Sequence, residues 1–393
     1  MRWPATRQSF SSASGSVRPR ALVTGLFDWW STYRAVRILG LAGVRVDALA
    51  DSSFQFARCR FVEQAIEAPR VPDAYAARLE RHLEEQRYDW IIVADDVSFA
   101  YLGSLANPWW VRPWFPVAPG SRSFAFATSK IAFAQMCAEH ALPVPPFSVV
   151  ERLEHALDAA RMHGFPVIGK AAHGFGGRAV TRLDDERAVR EWCSHTPGPK
   201  VVQRFVRGRY ATTEMLYDHG RLRAHFSSLR GDLWPTPLGT SSSRRLIDPP
   251  GMAGILDRLG SLTSFDGFCN ICWIWSDDGT YYLSELNPRP TPGYVLRADV
   301  TAALVCAVRD RLAGAPVRVH AVTRASGAIH QFPESICFAR INGGAHRWFA
   351  AAASLRRAAW DEPRLVFRQI REALRIGRQM REALVKTIQN GRR

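Results

Sequence analysis

Lysine is the scarcest charged residue in this 393-residue sequence. Four lysines, at positions 130, 170, 200 and 386, stand against 48 arginines. A basic side chain is therefore nearly always an arginine here, and a lysine marks a position where an ammonium group is needed. Lys130 and Lys170 are the two that occur within informative motifs.

Long apolar runs are also missing. None approaches the roughly 18 residues that a membrane-spanning helix needs, so a membrane-spanning protein is not expected. Residues 1–19 are rich in Ser and Arg and lack the apolar core of a secretory signal, which predicts a disordered tail. The rest of the chain, 47% hydrophobic, has enough apolar material for two or three packed units.

Cysteine is too sparse and too scattered for a disulfide framework. Seven cysteines, an odd number, favour free thiols and a cytoplasmic location. Cys269 and Cys272 form a CxxC pair, but no second pair or His cluster accompanies it. We therefore interpret both as core thiols rather than as zinc ligands.

The positive charge is concentrated at the C-terminal end. The net charge is +16, and residues 343–393 hold 12 Lys or Arg against 4 Asp or Glu, a balance of +8. Because no recognisable DNA- or RNA-binding module accompanies this charge, we expect small-molecule substrates and no nucleic-acid partner.

Periodicity predicts an α/β chain. Apolar runs near 20–27, 44–50 and 90–96, separated by helical patterns, predict a Rossmann-like domain over residues 20–115, although the dinucleotide glycine fingerprint is absent. A Pro- and Trp-rich stretch, 107–120, marks a connection to the next unit. Strands and hairpins dominate 201–286, with turns at Asp218-His219-Gly220 and Asp277-Asp278-Gly279.

Lys170 ends an apolar strand and precedes a glycine-rich loop. A charge at such a position normally requires a partner, and Gly174, Gly176 and Gly177 allow backbone N–H groups to approach an anion closely. A phosphate satisfies both requirements. A tight hairpin with a lysine that reaches the surface is an equally good interpretation of this fragment alone.

A second motif lies at Glu285-Leu286-Asn287-Pro288-Arg289. Glu285 and Asn287 are two apart on a predicted strand and so face the same side, with Arg289 just beyond. A carboxylate and an amide oxygen suit Mg²⁺, and an arginine suits a phosphoryl group. A solvent-facing strand end is the alternative.

In this order, the motifs resemble the ATP-grasp superfamily of carboxylate ligases, which includes biotin carboxylase and carbamoyl-phosphate synthetase. The resemblance covers about 20–312. The matching segments are Ser129-Lys130, Pro166 to Lys170 with the loop from His173 to Gly177, Val201 to Gly208, and Gly267 to Cys272 leading to Glu285-Leu286-Asn287-Pro288-Arg289. It implies a grasp domain of two α+β subdomains over 116–315, after the Rossmann-like domain, and a helical C-terminal extension over 316–393.

The resemblance also implies roles for single residues. Lys130 and Lys170 correspond to phosphate-binding lysines, Lys170 and Arg289 to catalytic residues, and Glu285 and Asn287 to ligands of Mg²⁺ or Mn²⁺. The residues implied to bind ATP, in the loop over the phosphates and the hinge beside adenine, are His173, Gly174, Phe175, Gly176, Gly177, Gln203, Arg204, Phe205 and Val206. The implied reaction is ATP-dependent phosphorylation of a carboxylate, followed by attack of an amine or thiol on the acyl phosphate, with release of ADP.

The sequence departs from the family pattern at Cys272. Alignment places this thiol where an acidic residue or Gln usually helps to hold Mg²⁺, and a thiol is a poor magnesium ligand. Asn270 or Glu214 is a candidate replacement. A non-catalytic, ATP-binding scaffold is therefore the alternative function. Candidates for recognition of a carboxylate substrate are Arg230, Arg244, Arg245 and Arg297.

Residues 363–388 have helical periodicity with an apolar and an arginine stripe. Two interpretations stay open: a helix packed on the protein body with solvated arginines, or a peripheral contact with an anionic membrane on the inner, cytoplasmic face. A homodimer is a further possible assembly.

Overall fold

A computed structural model describes residues 18–106, 109–174, 179–234 and 239–390, with side chains as far as residue 383. It has a mixed α/β fold, as the sequence predicts, and its strands form three sheets. The tail over residues 1–17, Phe175, Gly176 and Gly177 lie outside the described residues.

The N-terminal part is a parallel, four-stranded sheet. Its elements are β1 (Arg20–Thr24), α1 (Trp30–Leu41), β2 (Arg45–Ala50), β3 (Val62–Glu67), α2 (Pro72–Glu85), β4 (Trp90–Val93) and α3 (Asp96–Gly103). The strand order is β3-β2-β1-β4. β1 and β4 are almost wholly buried apolar runs, as strands covered on both faces require. Their carboxyl ends meet at one edge, where α3 begins.

Two short helices follow, α4 (Arg122–Thr128) and α5 (Lys130–Glu139). The helix that the sequence predicts over about 128–140 agrees with α5, and α4 was not predicted. The side chain of Ser121 accepts the Phe124 N–H, and that of Ser129 accepts the Ala132 N–H, so each helix has its own N-cap. Ser129 thereby starts α5 with Lys130 at its first position.

An antiparallel four-stranded sheet comes next. It contains β5 (Phe147–Val150), β6 (Val167–Ala171), β7 (Val180–Leu183) and β8 (Lys200–Arg204), with the helices α6 (Leu153–His163) and α7 (Glu186–His195). The order is β5-β8-β6-β7. The two helices and the sheet enclose a small core of their own.

The largest sheet has seven strands. Its elements in chain order are β9 (Gly208–Asp218), β10 (Arg221–Trp234), β11 (Thr240–Ile247), α8 (Met252–Thr263), β12 (Gly267–Ser276), β13 (Tyr281–Asn287), α9 (Ala298–Leu312), β14 (His320–Val322) and β15 (Ile329–His330). The main path is β13-β12-β9-β10-β11-β15, and β14 pairs with β10. The turn predicted between β9 and β10 is present, with positive φ at His219 and Gly220.

Three helices complete the chain: α10 (Glu334–Asn342), α11 (Ala345–Ser354) and α12 (Pro363–Asn390). One side of α12 packs on the body through buried Leu365, Val366 and Ala373. Gly377 lets α12 approach α10, because a Cβ there would lie 2.7 Å from the Arg340 Cβ. Arg371 and Arg375 are exposed, so over its described side chains α12 agrees with the packed interpretation.

No helix in the described part of the chain is long and apolar enough to cross a bilayer. The predicted domain limits, 20–115, 116–315 and 316–393, stay predictions.

Candidate active site

Lys170 lies on β6 and faces the cleft between the four-stranded and seven-stranded sheets. Its side chain is buried, and its Nζ is 3.3 Å from the Ser284 Oγ and 3.5 Å from the Ser284 carbonyl oxygen. Among the described residues it has no carboxylate within 4.0 Å. Burial lowers the pKa of Lys170 to about 8, and nearby Glu285 only partly offsets this effect. The ammonium is therefore held ready for an anion that the chain itself does not provide.

Lys130 reaches the same place from α5. Its Nζ is 3.0 Å from the Glu285 Oε2 and donates to the Gly174 carbonyl oxygen at 2.8 Å. Burial opposes the charge on Glu285, but Lys130 and Lys170 outweigh it and keep the pKa of this carboxyl below its usual value. The structure thus brings together two lysines that are 40 residues apart in the sequence.

The start of the glycine-rich loop lies over this pair. The Thr128 carbonyl oxygen is 3.0 Å from the His173 Nδ1, and the Lys130 N–H donates to the Ala172 carbonyl oxygen at 2.8 Å. Gly174 has φ of +130°, a conformation that favours glycine. The loop therefore begins beside Lys130.

The segment from Gln203 to Val206 forms one wall of the cleft. The Gln203 Nε2 donates to the Pro145 carbonyl oxygen at 3.3 Å, which leaves the amide oxygen as the acceptor of this side chain. The Arg204 N–H donates to the Pro146 carbonyl oxygen at 2.9 Å and so belongs to the sheet. The Val206 N–H, by contrast, has no hydrogen-bond acceptor among the described residues. Phe205 also lines the wall, under the guanidinium of Arg182.

The acidic motif lies across the cleft on β13. Glu285 is paired directly with Cys272 of β12, and Asn287 with Asn270. The Asn287 Nδ2 donates to the Asn270 Oδ1 at 3.1 Å and contacts the Cys272 Sγ at 3.5 Å. Burial, and then the charge of Glu285, raises the pKa of Cys272 to about 11, so this group is a neutral thiol at pH 7.

These donors can be compared with the requirements of a metal ion. Glu285 offers one carboxylate and Asn287 one amide oxygen, whereas the neutral thiol of Cys272 is a poor ligand for a hard cation. Mg²⁺ in nucleotide sites commonly takes one or two protein carboxylates together with phosphate oxygens. The residues present therefore fit a single Mg²⁺ or Mn²⁺ ion held jointly with phosphates.

Glu214, the other candidate replacement, has a different partner. Its Oε1 accepts from the Arg244 Nη1 at 2.9 Å, and both side chains are buried. Arg244 also donates to the Gln331 Oε1 at 2.8 Å. Of the four arginines considered for substrate recognition, Arg230 lines the cleft and Arg244 is buried beside it.

The remaining two arginines do not belong to the cleft. Arg245 is exposed and, as the residue next to Arg244 on β11, points to the opposite face of the sheet. Arg297 pairs with Asp299 at 2.5 Å. Their part in substrate recognition stays a prediction.

Arg289 lies just after β13 and pairs with the first residue of α3, in the N-terminal part of the chain. Its Nε is 2.5 Å from the Asp96 Oδ2, and its guanidinium lies 5.6 Å from the ring of Trp29. Burial opposes its charge, but Asp96 outweighs this and raises the pKa of Arg289. Sequence reasoning missed Asp96, although acids directly after a buried parallel strand were a usable signal.

The CxxC pair divides between two environments. Cys269 is packed in the main core, and Cys272, three positions on along the strand, lines the cleft. The pair therefore forms no metal site. Within the described residues one other acidic cluster appears, Asp218, His219 and Asp266, whose two carboxylates pair with Arg223 and Arg311.

Parts of the chain are similar to known proteins. The family model described as "Carbamoyl-phosphate synthase L chain, ATP binding domain" matches residues 129–200, which include both lysines. The carbamoyl phosphate synthase large chain of Thermotoga neapolitana is 33% identical over 180 residues, which cover 42% of this chain and 16% of that protein. Pyruvate carboxylase 1 of Caenorhabditis elegans is 25% identical over 221 residues, 50% of this chain and 18% of that protein. The chain thus spans less than a fifth of the length of these relatives.

Solved structures share the fold over a larger part of the chain. The biotin carboxylase domain of Hydrogenobacter thermophilus 2-oxoglutarate carboxylase, a complex with MgADP, ADP and bicarbonate, has a TM-score of 0.60 and 14% identity, with 78% of this chain and 73% of that chain covered. An L-amino acid ligase from Bacillus licheniformis has a TM-score of 0.57 and 15% identity, with 76% and 75% covered. N5-carboxyaminoimidazole synthetase of Staphylococcus aureus, in complex with ADP, has a TM-score of 0.61 and 13% identity, with 79% and 80% covered.

The family-model match falls on the segment that carries the two lysines, and each of these solved structures shares the fold of more than three quarters of the chain. Both matches agree with the resemblance to ATP-grasp ligases that the sequence motifs indicate.

Proposed function

We propose that this chain is an ATP-dependent ligase that joins a carboxylate to an amine, with a thiol as the alternative nucleophile, and releases ADP and phosphate. The observation that carries the proposal is the buried ammonium of Lys170, which has no carboxylate within 4.0 Å among the described residues and faces Glu285 and Lys130 across the cleft. A buried charge without a partner is costly unless a ligand completes it.

The nucleotide would lie between the four-stranded and the seven-stranded sheets. Adenine would meet the wall from Gln203 to Val206, where the Gln203 amide oxygen can accept from the exocyclic amine and the Val206 N–H can donate to a ring nitrogen. The cavity in this cleft is about 70 Å³, much less than ligand pockets usually offer, so the sheets would move apart to admit ATP.

The phosphates would lie between the two lysines. Lys170 and Lys130 would neutralise the β- and γ-phosphates, and in doing so Lys130 would leave Glu285. Glu285 and Asn287 would then hold Mg²⁺ or Mn²⁺, which supplies charge neutralisation at the transferring phosphoryl group.

The chemistry requires little covalent participation of the protein. A carboxylate oxygen of the first substrate attacks the γ-phosphorus and ADP leaves; the nucleophile then attacks the acyl carbon of the acyl phosphate, loses a proton, and phosphate leaves. Arg289, held by Asp96, would stabilise the charge on the acyl phosphate. Positioning and charge neutralisation are the contributions of this chain.

The product distribution tests the proposed reaction. The protein is incubated with ATP, Mg²⁺ and mixtures of carboxylates and amines, and the nucleotides are separated by chromatography. We expect ADP and phosphate in equal amounts, dependent on the substrates. Release of AMP and pyrophosphate would contradict a reaction of this type.

A second function, ATP binding without turnover, is favoured by one observation. Cys272 is a neutral thiol directly opposite Glu285, so the site has one carboxylate for a metal. In that case the wild-type chain binds ATP without releasing ADP, whatever substrates are offered.

A substitution at Cys272 distinguishes the two functions. Cys272→Glu adds a second carboxylate, and Cys272→Ser is the matched control without one. For a ligase, we expect Cys272→Glu to lower the Mg²⁺ concentration at half-maximal ADP release by about tenfold, an effect typical of changes around a metal site. Hydrolysis that appears only in Cys272→Glu would instead support the non-catalytic function.

Assembly and location are also proposals. The Hydrogenobacter thermophilus neighbour is a dimer, which makes a homodimer a reasonable expectation. The seven free cysteines agree with a cytoplasmic location. The predicted membrane contact of α12 has no support in the packing, because most of its described apolar residues, although not the exposed Phe367, pack within the fold.

A further inference from the structure

A second, larger cavity adjoins the phosphate end of the cleft. It has a volume of about 550 Å³ and lies between α3, α4, the start of α5 and the end of β13. Its volume is within the range of small-molecule sites. Lys130 and Glu285 belong to its lining, so it opens directly where the γ-phosphate would lie.

The walls away from that end are mostly apolar and aromatic. The aromatic residues that contribute are Phe99, Tyr101, Phe124, Phe126 and Phe133. These rings hold one another in place, since the Phe99 and Phe124 rings stack at 5.8 Å and the Phe126 and Phe133 rings at 4.7 Å. These rings of the apolar wall are therefore packed against one another.

Charged groups are confined to one side of the cavity. Lys130, Glu285 and Asp96 lie there, and Asp96 is paired with Arg289. A molecule that fills the cavity would place its polar head group beside these charges and its side group among the rings. The opposite orientation would bury a charged group against Phe126 and Phe133 without a partner.

We propose that this cavity receives the side group of one of the two substrates and selects an apolar or aromatic one. The inference rests on the proposed ligase function and deepens it by naming the chemical class of that substrate. Small polar side groups would leave the apolar walls uncovered and gain nothing from them.

The test uses amino acids, because each carries both an amine and a carboxylate and the series varies only in the side group. Binding of L-phenylalanine, L-leucine, L-serine and L-aspartate is measured by thermal shift and calorimetry in the presence of ATP and Mg²⁺. We expect L-phenylalanine and L-leucine to bind at least about tenfold more tightly than L-serine or L-aspartate, as apolar pockets typically discriminate.

A variant that fills the cavity tests whether the apolar amino acids bind there. Ala100 is on the exposed side of α3 and lines the cavity, so Ala100→Trp fills it without touching the core. Ala77→Trp, on the exposed face of α2, is the control for the cost of Trp in a helix. Ala100→Trp should weaken L-phenylalanine binding by about tenfold or more and leave ATP binding unchanged, and Ala77→Trp should change neither.

Equal affinities for the apolar and polar probes, including no binding of any, would overturn the proposed selectivity. So would unchanged L-phenylalanine binding in Ala100→Trp. Both results are distinguishable from failure of the ligase function, which would appear as absent ATP binding or absent ADP release in the wild-type protein.

Discussion

The guanidinium of Arg34 and the ammonium of Lys170 are equally buried, at 4% and 6% exposure, but have opposite surroundings. Arg34 donates to both Glu334 carboxylate oxygens, at 2.8 and 2.7 Å, and to the Pro292 carbonyl oxygen at 2.7 Å. Lys170 meets only Ser284 within hydrogen-bonding distance among the described residues. Near the C-terminal helices the fold satisfies its charges, whereas in the cleft one charge is left for a ligand.

This difference separates stability from function. Arg34 joins α1 to the start of α10 and to the segment before α9, so its pairing maintains contacts between distant parts of the chain. Over the part of the chain that the structure describes, the Lys170 ammonium makes only the two long contacts with Ser284 of β13, at 3.3 and 3.5 Å. In the absence of a bound anion, the buried charge of Lys170 lowers the stability of the folded state. Such destabilising charges are common at binding sites.

The largest expected effect is on the satisfied pair. Glu334→Ala leaves the buried Arg34 charge without its carboxylate, and we expect the free energy of unfolding to fall by about 3–5 kcal/mol, as for other buried pairs that lose one partner. Urea denaturation measures it. The control is Glu154→Ala, which removes an exposed pair with Arg152 at 3.6 Å and should cost less than about 1 kcal/mol. If both variants lost a similar free energy of unfolding, the buried pair would be no more important for stability than the exposed one.

Lys170→Met should act on binding instead. Loss of a hydrogen bond to a charged group costs about 1.5–3 kcal/mol, which corresponds to an ATP affinity about 10- to 150-fold weaker. The free energy of unfolding at pH 7 should rise, because an unpartnered buried charge is removed. Calorimetry with ATP and Mg²⁺, together with urea denaturation, measures both quantities.

Lys200→Met is the matched control for this substitution. Lys200 is also buried on the four-stranded sheet, but its Nζ lies 5.8 Å from the ring of Trp192 rather than in the cleft. It should keep wild-type ATP affinity. Equal losses of affinity in the two variants would show that Lys170 has no specific part in binding.

The smallest expected effect is a pH dependence. The pKa of Lys170 is lowered from 10.5 to about 8 in the folded protein, so the nucleotide-free protein loses this proton as the pH rises through about 8. Phosphate would restore the proton, and ATP affinity should therefore fall by up to tenfold per pH unit above about pH 8. Between about pH 8 and 10.5 the unfolded chain binds more protons, so the stability of the nucleotide-free protein should rise over that range.

Calorimetry in buffers of different ionisation enthalpy measures the proton uptake directly. Near pH 9 we expect the wild-type protein to take up almost one proton for each ATP bound. The Lys170→Met variant should lack this proton uptake. If the wild-type protein and Lys170→Met took up the same number of protons at pH 9, the pKa of Lys170 would not be lowered as stated.

Much of the fold could be predicted because its signals are local. Buried apolar runs separated by amphipathic helices gave the parallel sheet, and Asp and Gly at the turns gave the hairpins of the large sheet. The helix predicted over about 128–140 agrees with α5, whereas the short helix α4, which has its own N-cap at Ser121, was not predicted.

The site was only partly predictable. The two-residue spacing of Glu285 and Asn287 determined their common face, and strand alternation carried Asn270 and Cys272 to the opposing position. The role of Asp96 was not predicted, because its partner, Arg289, is 193 residues away in the sequence. The positions of Arg245 and Arg297 outside the cleft could not be predicted either. They depend on the sheet face to which Arg245 points and on the ion pair of Arg297 with Asp299.

The sequence by itself determined the alternation of elements, the position of Lys170 at a strand end before glycines, and the grouping of Glu285 with Asn287, since these depend on neighbours in the chain. Tertiary structure decided which charges are satisfied, because partners such as Arg34 and Glu334 meet only when distant elements pack. For the same reason, only the folded structure shows that Arg34 stabilises the chain through an ion pair, whereas Lys170 lacks a carboxylate partner among the described residues and is available to a ligand.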